Sequence, residues 1–150
     1  MTNRPQDSEV RAIGKSRRNE RNGGLGQGRR NRVETGRLGE EAAADFLQAE
    51  GYAIKSRNWR CRAGELDIVA EHGGVIAIVE VRTRTAGSSA AFGTAEESID
   101  ARKAHKVRTL AAIYLQTYGL QHAAVRCDAV IVILGQDGTA VDITHMQNAF

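Results

Sequence analysis

The stretch Gly64–Arg84, reading GELDIVAEHGGVIAIVEVRTR, constrains the fold more than any other part of the chain. Two β-rich runs, Glu65–Glu71 and Val75–Arg84, flank the dipeptide Gly73-Gly74. A Gly-Gly pair between alternating runs predicts a two-residue hairpin turn, because both central positions need φ > 0. That turn fixes the register, since opposed residues then have numbers summing to 147. Asp67 should face Glu80, Glu65 should face Arg82, and Val69 should face Ile78. Opposed residues of an antiparallel pair share a face of the sheet, with Cβ atoms about 5 Å apart.

The two faces of this hairpin then separate. Leu66, Ile68 and Ala70, with Val75, Ala77, Val79 and Val81, form a face with no polar member. The other face carries Val69, Ile76 and Ile78 near the turn, and Glu65, Asp67, Glu80 and Arg82 at the far end. Two carboxylates placed directly opposite each other repel, and a fold chosen for stability alone avoids them. A divalent cation between Asp67 and Glu80 would resolve the repulsion.

The chain length of 150 residues allows one domain and an extension. No run approaches the ~18 apolar residues of a membrane span, and no apolar segment near the N-terminus resembles a signal peptide. Cys61 and Cys127 form no CxxC or Cys/His cluster. They read as free thiols in a reducing compartment, and the cytoplasm is the expected location. The net charge of +3 hides an asymmetry. Residues 1–33 hold nine Arg/Lys against three acids, whereas the other 117 residues hold 12 bases and 15 acids. The basicity belongs to the arm and says nothing of a basic domain surface.

Residues 1–33, rich in Arg, Asn and Gly, cannot bury enough apolar surface to offset the entropy of ordering, and read as a disordered basic arm. Arg29, Arg30 and Arg32 would add sequence-blind affinity for phosphate backbones; a solubilising leader is the plainer alternative. Residues 34–150 form the domain. Thr35 can cap a helix from about Gly36 to Glu50 that ends at Gly51, with Leu38, Ala42, Ala43, Phe46 and Leu47 as its apolar stripe. Glu40 lies beside that stripe, where a solvated first-turn carboxylate is the ordinary reading. Tyr52 to about Arg60 reads as a strand. Arg57, Arg60 and Arg62 near Trp59 could pair with phosphates while the indole stacks on a base, although a lone Trp is more often a core or rim residue.

After Arg84 the run TAGSSAAFG has no periodicity and leaves the sheet at the polar end of the hairpin, where a loop could cover a substrate. Thr94-Ala-Glu-Glu97 has the form of a capping box. A helix follows, with Val107, Leu110, Ala111, Tyr114, Leu115 and Tyr118 in its stripe, and Lys103 one turn earlier. Its Lys103, His105, Lys106 and Arg108 can also be read as a solvated basic face. Val125–Leu134, the turn Gln136-Asp137-Gly138 and Thr139–Thr144 supply two more strands. The order α-β-β-β-α-β-β predicts an α/β fold with a mixed central sheet flanked by helices.

A metal-dependent phosphodiesterase needs carboxylates to hold Mg²⁺ or Mn²⁺ and a nearby cation to stabilise developing charge. Asp67, Glu80 and Arg82 supply these types on one hairpin. The segments GRLGEEAAADFLQAEGY, NWRCRAGELDIVA, IVEVRTR, FG…K, RCDAV and the terminal NAF resemble the UPF0102 (YraN-like) proteins of bacteria over about Glu34–Phe150. That family looks like a branch of the PD-(D/E)xK nucleases, whose fold is restriction-endonuclease-like, and is similar to archaeal Holliday-junction resolvases.

Carried over by position, the resemblance implies that Asp67 is the first metal-binding acid and Glu80 the (D/E) of (D/E)xK. It further implies the Val81 carbonyl as a ligand, Glu40 as an acid of the first helix that completes the metal site, and Lys103 as a basic residue at the start of the second helix. Arg82 stands where the lysine is usual. Arginine stays protonated and offers a planar fork suited to phosphate, so water activation would fall more heavily on the metal. Lys103 is a candidate to replace the missing lysine, and Arg84 joins the arginines expected to contact nucleic acid. The plainer alternative for Arg82 is a cross-strand pair with Glu65.

Three readings follow: a Mg²⁺-dependent endonuclease on branched or single-stranded DNA, a nuclease-like fold that binds nucleic acid without cutting, and a structural or protein-interaction module. The first is the expectation. A two-stranded substrate would suit a homodimer, and no membrane partner is expected.

Overall fold

The computed structural model describes residues 27–87 and 101–150. Most of the basic arm, the Gly/Ser/Ala loop beyond Gly87 and the Thr94–Glu97 capping box lie outside the described residues. The elements are α1 (Gln27–Ala49), β1 (Ala53–Cys61), β2 (Gly64–His72), β3 (Val75–Thr85), α2 (Ala101–Thr117), β4 (Ala124–Leu134) and β5 (Ala140–Met146). They form the expected α-β-β-β-α-β-β order. The five strands make one sheet in the order β1-β2-β3-β4-β5. Only β3 and β4 run parallel, and the connection between them carries α2. A parallel pair needs such a crossover, so the helix after the hairpin follows from the sheet topology.

The first helix begins well before the expected Thr35 cap. Residues 27–33, assigned on composition to the arm, are helical and continuous with the rest of α1. Arg37 pairs with Glu34 at 2.7 Å and Glu41 at 3.0 Å, at i−3 and i+4, and so ties the turns on both sides of Gly36. The helix ends as expected. Gly51, at φ 91°, donates its N–H to Gln48 O, and Tyr52 donates to Leu47 O. These are the two bonds of a Schellman cap.

The hairpin register is the predicted one over five pairs, from His72↔Val75 to Ile68↔Val79. Gly73 and Gly74 both have positive φ, at 58° and 78°. One face of the sheet packs on α1: Ile68, Ala70, Ala77, Val79, Val130 and Val132 meet Ala43, Ala44 and Leu47. The other packs on α2, where Val69, Ile76 and Ile78 meet Val107, Leu110 and Tyr114. The expected partition fails at one residue, because Leu66 belongs to the α2 cluster rather than beside Ile68. The pairing across β1 shows the cause. Arg57 is opposite Ile68 and Trp59 is opposite Leu66, leaving Asn58 and Asp67 between them without a pair. Asn58 is left-handed at φ 50°. Both strands therefore change phase by one residue here, and everything beyond Asp67 in β2 shows the opposite face from the one alternation predicts.

A second polar feature lies on the α1 face. Asp128 is fully buried. Its Oδ1 accepts from Arg126 Nε at 2.8 Å and Asn148 N at 3.0 Å, and its Oδ2 bonds His145 Nε2 at 2.8 Å and Arg126 Nη2 at 3.0 Å. Arg126 also donates to Tyr52 Oη. Tyr52 in turn stacks on His72, with ring centroids 4.7 Å apart. This buried acid joins β4 to the end of β5, to the C-terminal turn and to the start of β1. Asp128→Ala should cost about 1–3 kcal/mol in urea unfolding, because it removes the acceptor shared by a partly buried guanidinium, an imidazole and a backbone N–H; a loss below about 0.5 kcal/mol would contradict that role.

Candidate functional site

The hairpin ladder stops at Ile68↔Val79, and β3 continues to Thr85 paired only with β4. Asp67 sits at the point of departure. Its Oδ2 accepts the backbone N–H of Val81 at 2.8 Å. The carboxylate thus takes the place of a ladder acceptor for a backbone donor that β2 no longer serves. Asp67 and Glu80 lie at the same gap, as the register predicts, although no direct backbone pair joins them.

Acids converge on this gap from three elements. Burial pushes the Asp67 carboxyl up to about 6; the Val81 bond works against this, and the negative charges of Glu80, Glu40 and Glu65 raise it further. Glu40 reaches the site from α1 because Gly39 packs tightly on β3, where a Cβ would overlap the Thr83 side chain. With its nitrogen donating, the Asn58 amide bridges Glu40 Oε2 at 3.0 Å and Glu65 Oε1 at 3.2 Å. Asn58 therefore belongs to the cluster although sequence reasoning gave it no role, and Glu65, expected at this end of the hairpin as a partner of Arg82, joins it through Asn58 instead. The polar residue facing Asp67 in a strand otherwise rich in arginine was the available signal.

Two cations enter from the other side. The Lys103 ammonium of α2 makes an ion pair with Glu80 Oε1, and Arg82 Nη2 lies 3.7 Å from the same oxygen. The alternative cross-strand pair of Arg82 with Glu65 is not the arrangement found: Glu65 is paired with Arg60 at 3.0 Å. The phase change at Asp67 turns Glu65 toward the α1 side, away from the face of Glu80 and Arg82. Val81, half-buried, is held to Asp67 through its N–H, which leaves its carbonyl a separate group.

Among the described residues, no three His, Cys, Asp or Glu side chains stand close enough together to grip an ion as placed. The donor chemistry nonetheless fits Mg²⁺ or Mn²⁺. These ions take carboxylate oxygens, keep several waters and need only one or two protein carboxylates. Asp67 also carries a surplus of neighbouring negative charge that a cation would relieve.

The remaining candidates are dispersed. Arg60 and Arg62 are exposed at the β1–β2 turn beside the cluster, and Arg57 is exposed farther along the edge strand β1. Arg84 lies half-buried near the end of β3. Arg32 is exposed on the first turns of α1, and Arg29 and Arg30 belong to the same helix. Trp59 is a rim residue of the α2 core, edge-on to Tyr114 at 5.3 Å. Both cysteines are free, and burial raises the Cys127 thiol above its ordinary range, so it is a poor nucleophile at neutral pH.

The model of the uncharacterised protein family UPF0102 matches residues 39–132. This chain belongs to the UPF0102 family. It is 44% identical over 115 residues to a UPF0102 protein of Pelotomaculum thermopropionicum, covering 77% of this chain and 93% of that one. It is 45% identical over 119 residues to a UPF0102 protein of Moorella thermoacetica, covering 79% and 97%. A third, from Mycolicibacterium vanbaalenii, is 38% identical over 120 residues, covering 80% and 96%. The family match opens at Gly39 and spans Glu40, Asn58, Glu65, Asp67, Glu80, Arg82, Lys103 and Asp128. It therefore takes in both the acidic gap and the buried Asp128 anchor of the UPF0102 domain. Among the described residues, no helix is long and apolar enough to cross a membrane.

The raised Asp67 carboxyl has a consequence for stability. The folded state holds this proton more tightly than the unfolded state, whose pKa is near 3.8. Its stabilising contribution is therefore complete below about pH 4 and is lost as pH rises through about 6, by up to about 3 kcal/mol. Without added metal, Asp67→Asn should be 1–3 kcal/mol more stable than wild type at pH 8, on the order of magnitude that linkage allows, and similar at pH 4. Urea midpoints at both pH values measure this; parallel changes in the two proteins would contradict it.

Proposed function

We propose that this UPF0102 protein is a Mg²⁺- or Mn²⁺-dependent endonuclease of the PD-(D/E)xK type, acting on branched or single-stranded DNA. The observation that carries this reading is the gap itself. A half-buried Asp67 and a Glu80 paired with Lys103 meet where two strands part, with Glu40 close enough to raise the Asp67 carboxyl.

Asp67, Glu80 and the Val81 carbonyl would hold the ion, with Glu40 completing its surroundings through water. When bound, the ion would lower the pKa of a water and neutralise charge on the phosphate. The protein's own residues do the rest. Asp67 is held in place by the Val81 N–H, so its orientation does not depend on a ligand. Lys103 brings a compact ammonium to Glu80 from the helix, the group that β3 lacks because it carries Arg82. Arg82, permanently charged and planar, suits the non-bridging oxygens of a phosphate. Exposed Arg60 and Arg62 flank the gap, where they can pair with the backbone on either side of the cut. A homodimer would present two such gaps to a two-stranded target, and the cytoplasm is where such a substrate lies.

The test is cleavage of single-stranded, flap, junction and duplex DNA, and of RNA, with Mg²⁺ or Mn²⁺. Glu80→Ala should abolish cleavage, and Lys103→Met should slow it by about 10²- to 10³-fold, the usual cost of removing one charge-stabilising donor. Calorimetry should give a Mn²⁺ site that Asp67→Asn removes. Wild type behaving like Glu80→Ala on every substrate would reject the enzyme; binding without cleavage would leave a nucleic-acid-binding protein.

A further inference from the structure

A cavity of about 430 Å³ lies at the far end of α2 from Lys103, between that helix and the turn end of the hairpin. Its lining divides into three kinds. Val69 and Ile76 form an aliphatic base continuous with the α2 core. Tyr114 and Tyr118 form an aromatic wall, with ring centroids 4.6 Å apart, and Trp59 extends the series behind Tyr114. Tyr118 is 52% exposed, so much of its ring is open to a ligand.

The third kind is polar. Lys55 and Glu71 also line the cavity and pair with each other at 2.9 Å, with both side chains partly exposed. Ser56 Oγ and Tyr114 Oη share one hydrogen bond at 2.9 Å. Two hydroxyls joined by one bond use only one of their two hydrogens, so a donor and several lone pairs remain. The cavity thus offers an open aromatic face, an aliphatic base and an edge with donors and acceptors side by side. A purely apolar ligand would leave that edge unpaired, at a cost. A planar heterocycle with a hydrogen-bonding edge fits all three parts, and the volume lies within the range of small-molecule sites.

Its position bears on which heterocycle. Ile76 and Glu80 are on the same face of β3, four residues and so about 13 Å apart. The helix that carries Lys103 at the acidic gap carries Tyr114 at the cavity, and Tyr118 follows directly after its last residue. We propose that this cavity receives an unpaired base of a nucleic-acid strand, stacked on Tyr118 with its edge toward Lys55, Glu71 and the Ser56–Tyr114 hydroxyls. The proposal rests on the endonuclease reading for its choice of ligand, and it specifies that reading: the strand held at Glu80 carries a base out of its stack nearby. Fully paired duplex cannot supply one without the cost of unstacking.

The test uses full-length Glu80→Gln protein, which should not cut, in EDTA, with single-stranded DNA bearing one 2-aminopurine and with the same probe annealed in a duplex. The single strand should bind with quenching of the 2-aminopurine fluorescence, and the duplex should bind without it. Tyr118→Ala should weaken single-strand binding by about ten- to a hundredfold and abolish the quenching, as loss of one stacking platform does. Tyr118→Phe, which keeps the ring, should restore both, and an unchanged urea midpoint for Tyr118→Ala separates lost stacking from a folding defect. Absence of quenching in the parent protein, equal quenching of single strand and duplex, or unchanged binding by Tyr118→Ala would each overturn the proposal. The cleavage assay of the protein with Glu80 intact separates the two ideas. Cutting without Tyr118-dependent quenching rejects the base site alone, and quenching without cutting rejects the nuclease alone.

Discussion

The hydrogen bond from the Val81 N–H to the Asp67 carboxylate is the interaction on which the acidic gap depends. An antiparallel hairpin that simply continued would satisfy that N–H with backbone and would leave Asp67 and Glu80 as opposed side chains on one flat face. Instead β2 turns away, and its own side chain supplies the missing acceptor. The parallel pairing of β3 with β4 runs on to Thr85↔Leu134, so one wall of the opening stays fixed after the other has left. Asn58 makes the departure feasible on the outer strand, because asparagine tolerates the left-handed conformation better than most residues. The result is an opening that α1 approaches from one side and α2 from the other, rather than a two-acid motif on a strand.

Asp128 and Asp67, two aspartates of the sheet, show by contrast what that opening does to a carboxylate. Asp128 is buried completely, yet its two oxygens are served by a guanidinium, an imidazole and a backbone N–H. It is an acid whose environment was built to satisfy it, and its role is to hold β4, β5 and the C-terminal turn together. Asp67 is less buried and worse served: one N–H favours its charge, while burial and three neighbouring acids oppose it. A fold does not gain stability from that arrangement. Acids held against their own repulsion in an accessible gap mark a site with a task more often than an accident of packing.

Much of this was legible in the chain. The Gly-Gly turn and the alternation on either side of it specify five of the hairpin pairs, because φ > 0 at two consecutive positions leaves few other turns. The helical stripe from Val107 to Leu115 and the β run of Val125–Leu134 gave the element order. What alternation could not convey was its own interruption. Asp67 and Asn58 are polar residues in half-polar strands, so a one-residue change of phase leaves no mark on the hydrophobic pattern, and Glu65 was consequently assigned the wrong partner. The start of α1 was missed for a related reason: Arg32, Val33 and Glu34 are exposed, so no apolar stripe marks that part of the helix and the Arg37 ion pairs speak for it instead. The Asp128 anchor was unreadable because its partners come from β1, β5 and the C-terminal turn.

On the proposed endonuclease reading, Lys103 answers the question that arginine at position 82 raises. That reading calls for a compact ammonium beside the second acid. Here that position beside Glu80 is taken by an ammonium from another element. Dividing two cations between a strand and a helix also divides their constraints. Arg82 is fixed by the sheet, whereas Lys103 moves with α2. The same helix carries Tyr114 near its other end, with Tyr118 directly after it, so anything that shifts α2 on the sheet acts on the acidic gap and on the aromatic cavity together. Lys103 and Tyr114 are about 17 Å apart along one continuous helix, so α2 joins the two sites as β3 does. A strand that engages both ends would fix the position of Lys103 relative to Glu80, which makes occupancy of the cavity and the charge state of the gap a single mechanical question.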